Sequence, residues 1–226
     1  DHIVLAAGSY TPGNIELKQY RYLYGAGAQQ TIIHNNTNSP LITMEAYSHV
    51  EGVTITGSGK DGISVDYAAY GARITKTLFR DLDEAVAVEN YGTPIIRYNT
   101  WDNVAVCIDT NTYSNMDSEY NVFHDSTKGI NALGSNDESR YSVFYNVDTD
   151  TSGSITSTSD TSVTSSDKLF WSTADNQHQL YDRVGNPAID KYLDREAGCF
   201  PYYKKEATIL STELTSSLPR DYDSVD

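Results

Sequence analysis

"RYNTW" at 97–101, "EYNVF" at 119–123 and "RYSVF" at 140–144 carry one pattern in different letters. Each ends in an aromatic residue, and "TKTLF" at 75–79 is an earlier member. Phe79, Trp101 and Phe123 are spaced by twenty-two residues, and Phe144 follows after twenty-one. Two places before each ring stands a small polar residue: Thr77, Asn99, Asn121 and Ser142. After it come "RD", "DN", "HD" and "YN".

A second series lies between these. It reads "GISVD" (62–66), "AVAVE" (85–89), "AVCID" (105–109), and more weakly "GINAL" (129–133) and "SITST" (154–158). Ile63 and Val65, Val86 and Val88, and Val106 and Ile108 alternate with polar or small residues, the period of a strand with one buried face. Turn residues interrupt every run before a helix could form. The chain therefore reads as all-β: a right-handed single-stranded parallel β-helix with coils of about 20–24 residues. Stacked equivalents build its core, and Asn99 and Asn121 form an amide ladder satisfying turn backbone groups. A β-sandwich of short strands is the alternative. A propeller needs repeats nearer forty residues, about twice this period, and the Leu lattice of leucine-rich repeats is missing.

The coils are expected over 1–167, with the Ser/Thr-rich stretch 148–167 as a polar last coil. A last coil and C-terminal cap follow over 168–203, since an open end leaves unpaired strand edges. Residues 204–226 form a polar tail.

The 226 residues carry 31 acidic and 16 basic side chains, a formal charge of −15. Such a surface repels nucleic acid and anionic membranes, yet a local Lys/Arg patch or a bound cation can still bridge an acidic polysaccharide. No apolar run is long enough for membrane insertion. The chain does not begin with Met, and "DHIVLAAGSY" reads as the interior of a structure, so a mature or excised fragment of a larger protein is expected. Eighteen tyrosines against five Phe and two Trp suit half-buried rings and sugar-binding faces.

The opening segment, with Ile3, Leu5, Gly8, Tyr10, Ile15, Leu17, Gly25, Gly27 and Thr31 to Ile33, resembles that of right-handed parallel β-helix proteins of the pectin-lyase-like group. "NPAIDKYLDREAGCFPY" (186–202) resembles their closing segment, with "GCF" in place of Gly-Ala-aromatic and no Gly directly after Asp190. The resemblance spans residues 1–203. It implies the fold, and an activity among polysaccharide lyases, hydrolases, epimerases, phage tail spikes and adhesion modules.

Asp66, Glu89 and Asp109 end successive strands of the second series. Coils stack about 4.8 Å apart, so carboxylates in one column raise each other's pKa unless a cation neutralises them. Three readings stay open: a Ca²⁺ site gripping a sugar carboxylate, a hydrolytic pair, or solvated strand ends. A lyase needs a base and positive charge. Arg73, Lys76, Arg80 and Arg97 fall on adjacent coils, and Arg80, Asp102 and His124 fit one wall, with His124 as base or as a plain surface partner of Asp125. Tyr67, Tyr70, Tyr91 and Tyr113 follow the carboxylate strands and would offer rings to a sugar, or simply pack the turns. Cys107 falls on the outward phase of its strand, where a disulfide to Cys199 or two free thiols fit equally. "NNT" at 35–37 is a glycosylation sequon.

The expected function is an extracellular polysaccharide-binding or structural module of a surface or spike protein, with a homotrimer as one possible assembly. The alternative is a lyase, epimerase or hydrolase on an extracellular, acidic polysaccharide.

Overall fold

A computed structural model describes residues 2–163 of the 226. Among these the chain is all-β, and about seven turns stack into a parallel β-solenoid. Each turn contributes to three faces. Ile15–Leu17, Ile42–Met44, Ile63–Val65, Glu84–Val88 and Val106–Thr110 line the first. The second holds His2–Leu5, Tyr22–Gly25, His49–Glu51, Tyr70–Thr75, Thr93–Arg97 and Asp117–Glu119. On the third are Leu78–Arg80, Thr100–Asp102, Val122–His124 and Val143–Tyr145, with Gly8–Tyr10, Thr31–His34 and Thr54–Thr56 before them. Neighbouring strands pair in parallel. Lys128–Arg140 bends from the first face into the second, joining both into one sheet.

The polar stretch continues the solenoid: Thr149–Thr158 pairs with Lys128–Arg140, and Thr161–Val163 with Val143–Tyr145. The cap expected over 168–203 and the tail at 204–226 lie outside the described residues. No helix among the described residues is long and apolar enough to cross a membrane.

The aromatic series is the spine of the core. Phe79, Trp101, Phe123 and Phe144 are buried and stack in register, with centroids 5.4, 4.6 and 4.5 Å apart. Offset stacking at this spacing adds to the burial of the rings. Beside the spine runs the amide ladder. Asn99 Nδ2 donates to the Ile74 carbonyl, and Asn121 Nδ2 to that of Ile96. The backbone N–H of Thr77 donates to Asn99 Oδ1, and that of Asn99 to Asn121 Oδ1. Each amide thus closes a turn whose backbone groups are sealed from water.

The corners stack as well. Tyr20, Tyr47, Ala68 and Tyr91 hold φ of 56–63° at one corner, Lys76, Tyr98, Tyr120 and Tyr141 hold 49–58° at the next, and Asp81, Asn103, Asp125 and Asn146 hold 46–54° at the third. Asn and Asp tolerate this left-handed region better than most residues.

Two expectations change. Cys107 is buried, not outward. Its strand bends at the start, so the consecutive residues Cys107 and Ile108 both face the core, as Ala85 and Val86 do one coil earlier. The sequon Asn35 is 5% exposed and its amide donates to the Ser39 and Asp61 carbonyls, so no glycan fits without breaking that corner.

Candidate active site

An open groove of about 540 Å³ runs along the corner that joins the third face to the first, lined in part by Gly57, Asp81, Asp83, Asn103, Asp125 and Thr127. Its wall is the left-handed Asp/Asn column. Asn103 Nδ2 donates to Asp81 Oδ1 at 2.7 Å, and Asn146 Nδ2 to Asp125 Oδ1 at 2.6 Å.

On the third-face side, Arg80, Asp102, His124 and Tyr145 occupy matching positions on consecutive strands. The spacing of "RD", "DN" and "HD" therefore translates into one wall. Arg80 Nε donates to Asp81 Oδ2 at 3.1 Å. His124 Nδ1 lies 2.7 Å from Asp102 Oδ1 and 3.4 Å from Asp125 Oδ2, and its ring stacks on Tyr145. Ligand atoms of Asp102, His124 and Asp125 all lie within 4.8 Å of one another, so this group could hold a metal ion. One imidazole nitrogen with two carboxylates suits a transition ion, whereas Ca²⁺ takes oxygen ligands alone.

The expected carboxylate column is only partly a column. Val65 pairs with Val88, so Asp66 and Glu89, the next residues, match. Val88 pairs with Thr110, which sets Asn111 in the third place. Asp109 instead stands level with Ala87 and Asn131, and Asn131 Nδ2 donates to Asp109 Oδ1 at 2.7 Å. The reading of Asp109 as the third carboxylate slips by two residues, a shift that keeps every inward side chain inward. The Ca²⁺ site expected on Asp66, Glu89 and Asp109 loses its common column with it.

The bend displays what the sequence reading missed. Glu84 opens its first-face strand next to Asp83 of the groove and is half-buried. Burial first, then the charges of Asp109, Asp61, Glu89 and Asp83, push its carboxyl up to about 7. Glu84 is thus substantially protonated near neutral pH while acidic neighbours surround it. The signal in the sequence was the run "DLDEA" (81–85) at the head of the strand.

The tyrosines gather at the opposite end of the first-face strands. Tyr91 and Tyr113 stack at 5.2 Å with planes 6° apart, and Tyr67 meets Tyr91 edge-on at 5.5 Å. All three are exposed, as is Tyr70, which begins a second-face strand. Parallel stacking hides ring faces, so this ridge offers mainly ring edges and phenol groups. Of the basic residues, Arg73 and Arg97 lie on the second face, Lys76 at the corner after it, and Arg80 on the third. They do not converge. The Cys107–Cys199 pairing involves a residue outside the described ones.

Comparison with protein-family models gives no match, and comparison with curated proteins gives none. Among solved structures the chain is similar to a mannuronic acid specific polysaccharide family 6 lyase enzyme from human gut microbiota, at 14% identity and a TM-score of 0.49. The match covers 72% of this chain and 53% of that one, so the chain spans about half that protein's length.

Proposed function

We propose that the chain cleaves glycosidic bonds in an extracellular polysaccharide at the first-face edge of the groove, with Glu84 as general acid and Asp109 as its partner carboxyl. The observation that carries this is Glu84 itself: half-buried at the head of its strand, it is held protonated to about pH 7 by burial and by acidic neighbours, Asp109 foremost among them. Glycoside hydrolysis pairs a carboxylic acid that keeps its proton near neutral pH with a second carboxyl group. Glu84 gives its proton to the leaving oxygen as the C1–O bond breaks. The Asp109 carboxylate supports the positive charge that grows on the sugar ring, and water completes the exchange and returns the proton.

Asp61, Asp66, Asp83 and Glu89 make this stretch strongly negative, which favours a neutral glycan over the acidic one that the sequence suggested. The Tyr67–Tyr91–Tyr113 ridge adds contacts along the chain axis. A purely binding module would use the same ridge without the protonated Glu84.

The test is a panel of neutral and acidic polysaccharides, read for new reducing ends and for absorbance of unsaturated product. Reducing ends without absorbance are expected, and Glu84→Gln should lower kcat by about a hundredfold or more. Absorbance would mean elimination instead. Binding without either product would leave the module reading, and full activity in Glu84→Gln would remove the assignment.

A further inference from the structure

The left-handed corner column repeats one arrangement with a difference. Asp81 uses both oxygens: Oδ1 accepts from the Asn103 amide and Oδ2 from Arg80 Nε at 3.1 Å. Two coils later, Asp125 Oδ1 accepts from the Asn146 amide in the same way. Its Oδ2 faces no guanidinium of its own coil. It faces His124 Nδ1 at 3.4 Å, and that nitrogen already lies 2.7 Å from Asp102 Oδ1. Two carboxylates thus converge on one ring nitrogen, which has at most one hydrogen to give. Asp102 and His124 are both buried, and charge crowded away from water is costly unless something of opposite sign joins it.

The three side chains are also held from behind. The Tyr145 ring lies 5.4 Å from the imidazole with planes 14° apart and fixes its tilt. Asn146 occupies the outer oxygen of Asp125 and so turns Oδ2 inward. Ser126 Oγ donates to the His124 carbonyl. Outer contacts of this kind orient the ligands of metal sites.

We propose that Asp102, His124 and Asp125 bind a divalent transition cation of the zinc type, at the edge of the groove and independently of Glu84. Bonds of about 2.0–2.2 Å in a tetrahedral arrangement set ligand atoms about 3.3–3.6 Å apart. His124 Nδ1 and Asp125 Oδ2 already stand in that range. Asp102 retreats by about half an ångström as the cation replaces the hydrogen it shares with His124. Two carboxylates balance the double charge. The imidazole nitrogen favours a transition ion over Ca²⁺, and three protein ligands leave a place for water. The cation ties the strand Thr100–Asp102 to Val122–His124 and so bridges two coils beside the groove that Asp125 lines.

The experiment is calorimetric titration of the full chain, dialysed against a chelator, with ZnCl₂ and with CaCl₂. Zn²⁺ should bind saturably, and Ca²⁺ at least about tenfold more weakly. Asp125→Asn should weaken Zn²⁺ binding by about tenfold or more. Its thermal midpoint without metal should stay close to that of the wild type, because the substitution keeps an oxygen for Asn146 and suits the left-handed φ of 46°. Saturating Zn²⁺ should raise the midpoint of the wild type more than that of Asp125→Asn. Glu84→Gln should bind Zn²⁺ like the wild type, which separates this site from the catalytic proposal. The inference is overturned if Zn²⁺ does not bind, if Ca²⁺ binds as tightly, or if Asp125→Asn leaves the affinity unchanged.

Discussion

Asn121 makes four kinds of contact from one amide: to the Ile96 carbonyl, to Ser118 Oγ, to the backbone N–H of Asn99 and to the Asn99 side chain. All of it is buried. Asn121→Ala would strand a carbonyl and an N–H, at about 1–3 kcal/mol per buried group left unpaired. Urea unfolding should show a loss of at least about 2 kcal/mol on that scale. Phe123→Ala, which opens a hole between Trp101 and Phe144, should cost about 3–5 kcal/mol. Glu84 acts in the other direction. Its folded pKa of about 7 lies above the ordinary 4.5, so the folded state holds the proton more tightly. That contribution is fully present below the unfolded value and is lost as pH rises through about 7. The thermal midpoint of wild type relative to Glu84→Gln should therefore fall between pH 4.5 and 7; a constant difference would contradict the protonation assignment. Cys107 is closed in the core, and burial pushes its thiol up. Alkylation mapped by mass spectrometry should reach it only after denaturation.

At the scale of the element, what was legible is what repeats at constant length. The coils carrying Phe79, Trp101, Phe123 and Phe144 are spaced by twenty-one or twenty-two residues, so rings, amides and the Arg80–Asp102–His124 wall fell into line by counting. The earlier coils are longer and uneven: Tyr22 to His49 is twenty-seven residues and His49 to Arg73 twenty-four. Their shared face was invisible to a fixed period, although "YRYLY" and "YSHVE" repeat one phase: a left-handed tyrosine two places before an outward ring. Alternation fixed which way most side chains point, but not the register, so Asp109 slipped by an even step. It also failed at the bend, where Ala85, Cys107 and Gly129 follow Glu84, Val106 and Lys128 on paired strands. Room runs out at the last of these. A Cβ on Gly129 would meet the Asp150 carbonyl and lie 2.6 Å from the Phe144 ring. Gly129→Ala should destabilise by about 1–3 kcal/mol, and circular dichroism melts would reveal a smaller effect if the bend can open.

The molecule as a whole is strongly acidic, and acidic side chains outnumber basic ones on the described solenoid too. Among the described residues, most cations that might offset it are spent in local pairs, such as Lys18 with Glu16 and Glu45, or Arg140 with three carboxylates. Self-repulsion at −15 should therefore yield to screening. The thermal midpoint should rise as salt goes from a few millimolar towards roughly physiological strength, and a fall would mean that the ion-pair lattice of the second face outweighs the repulsion.

The alternation of Asp81, Asn103, Asp125 and Asn146 also sets a parity on the rod. Each acid is followed by an amide, so like charges stand two coils and forty-four residues apart. Excising one coil, from 82 to 103, would bring Asp81 against Asp125 at a single spacing of about 4.8 Å. Excising two would restore acid to amide. Viable shortening or lengthening of this solenoid should then occur in even numbers of coils, and an odd step would need a compensating change at the junction.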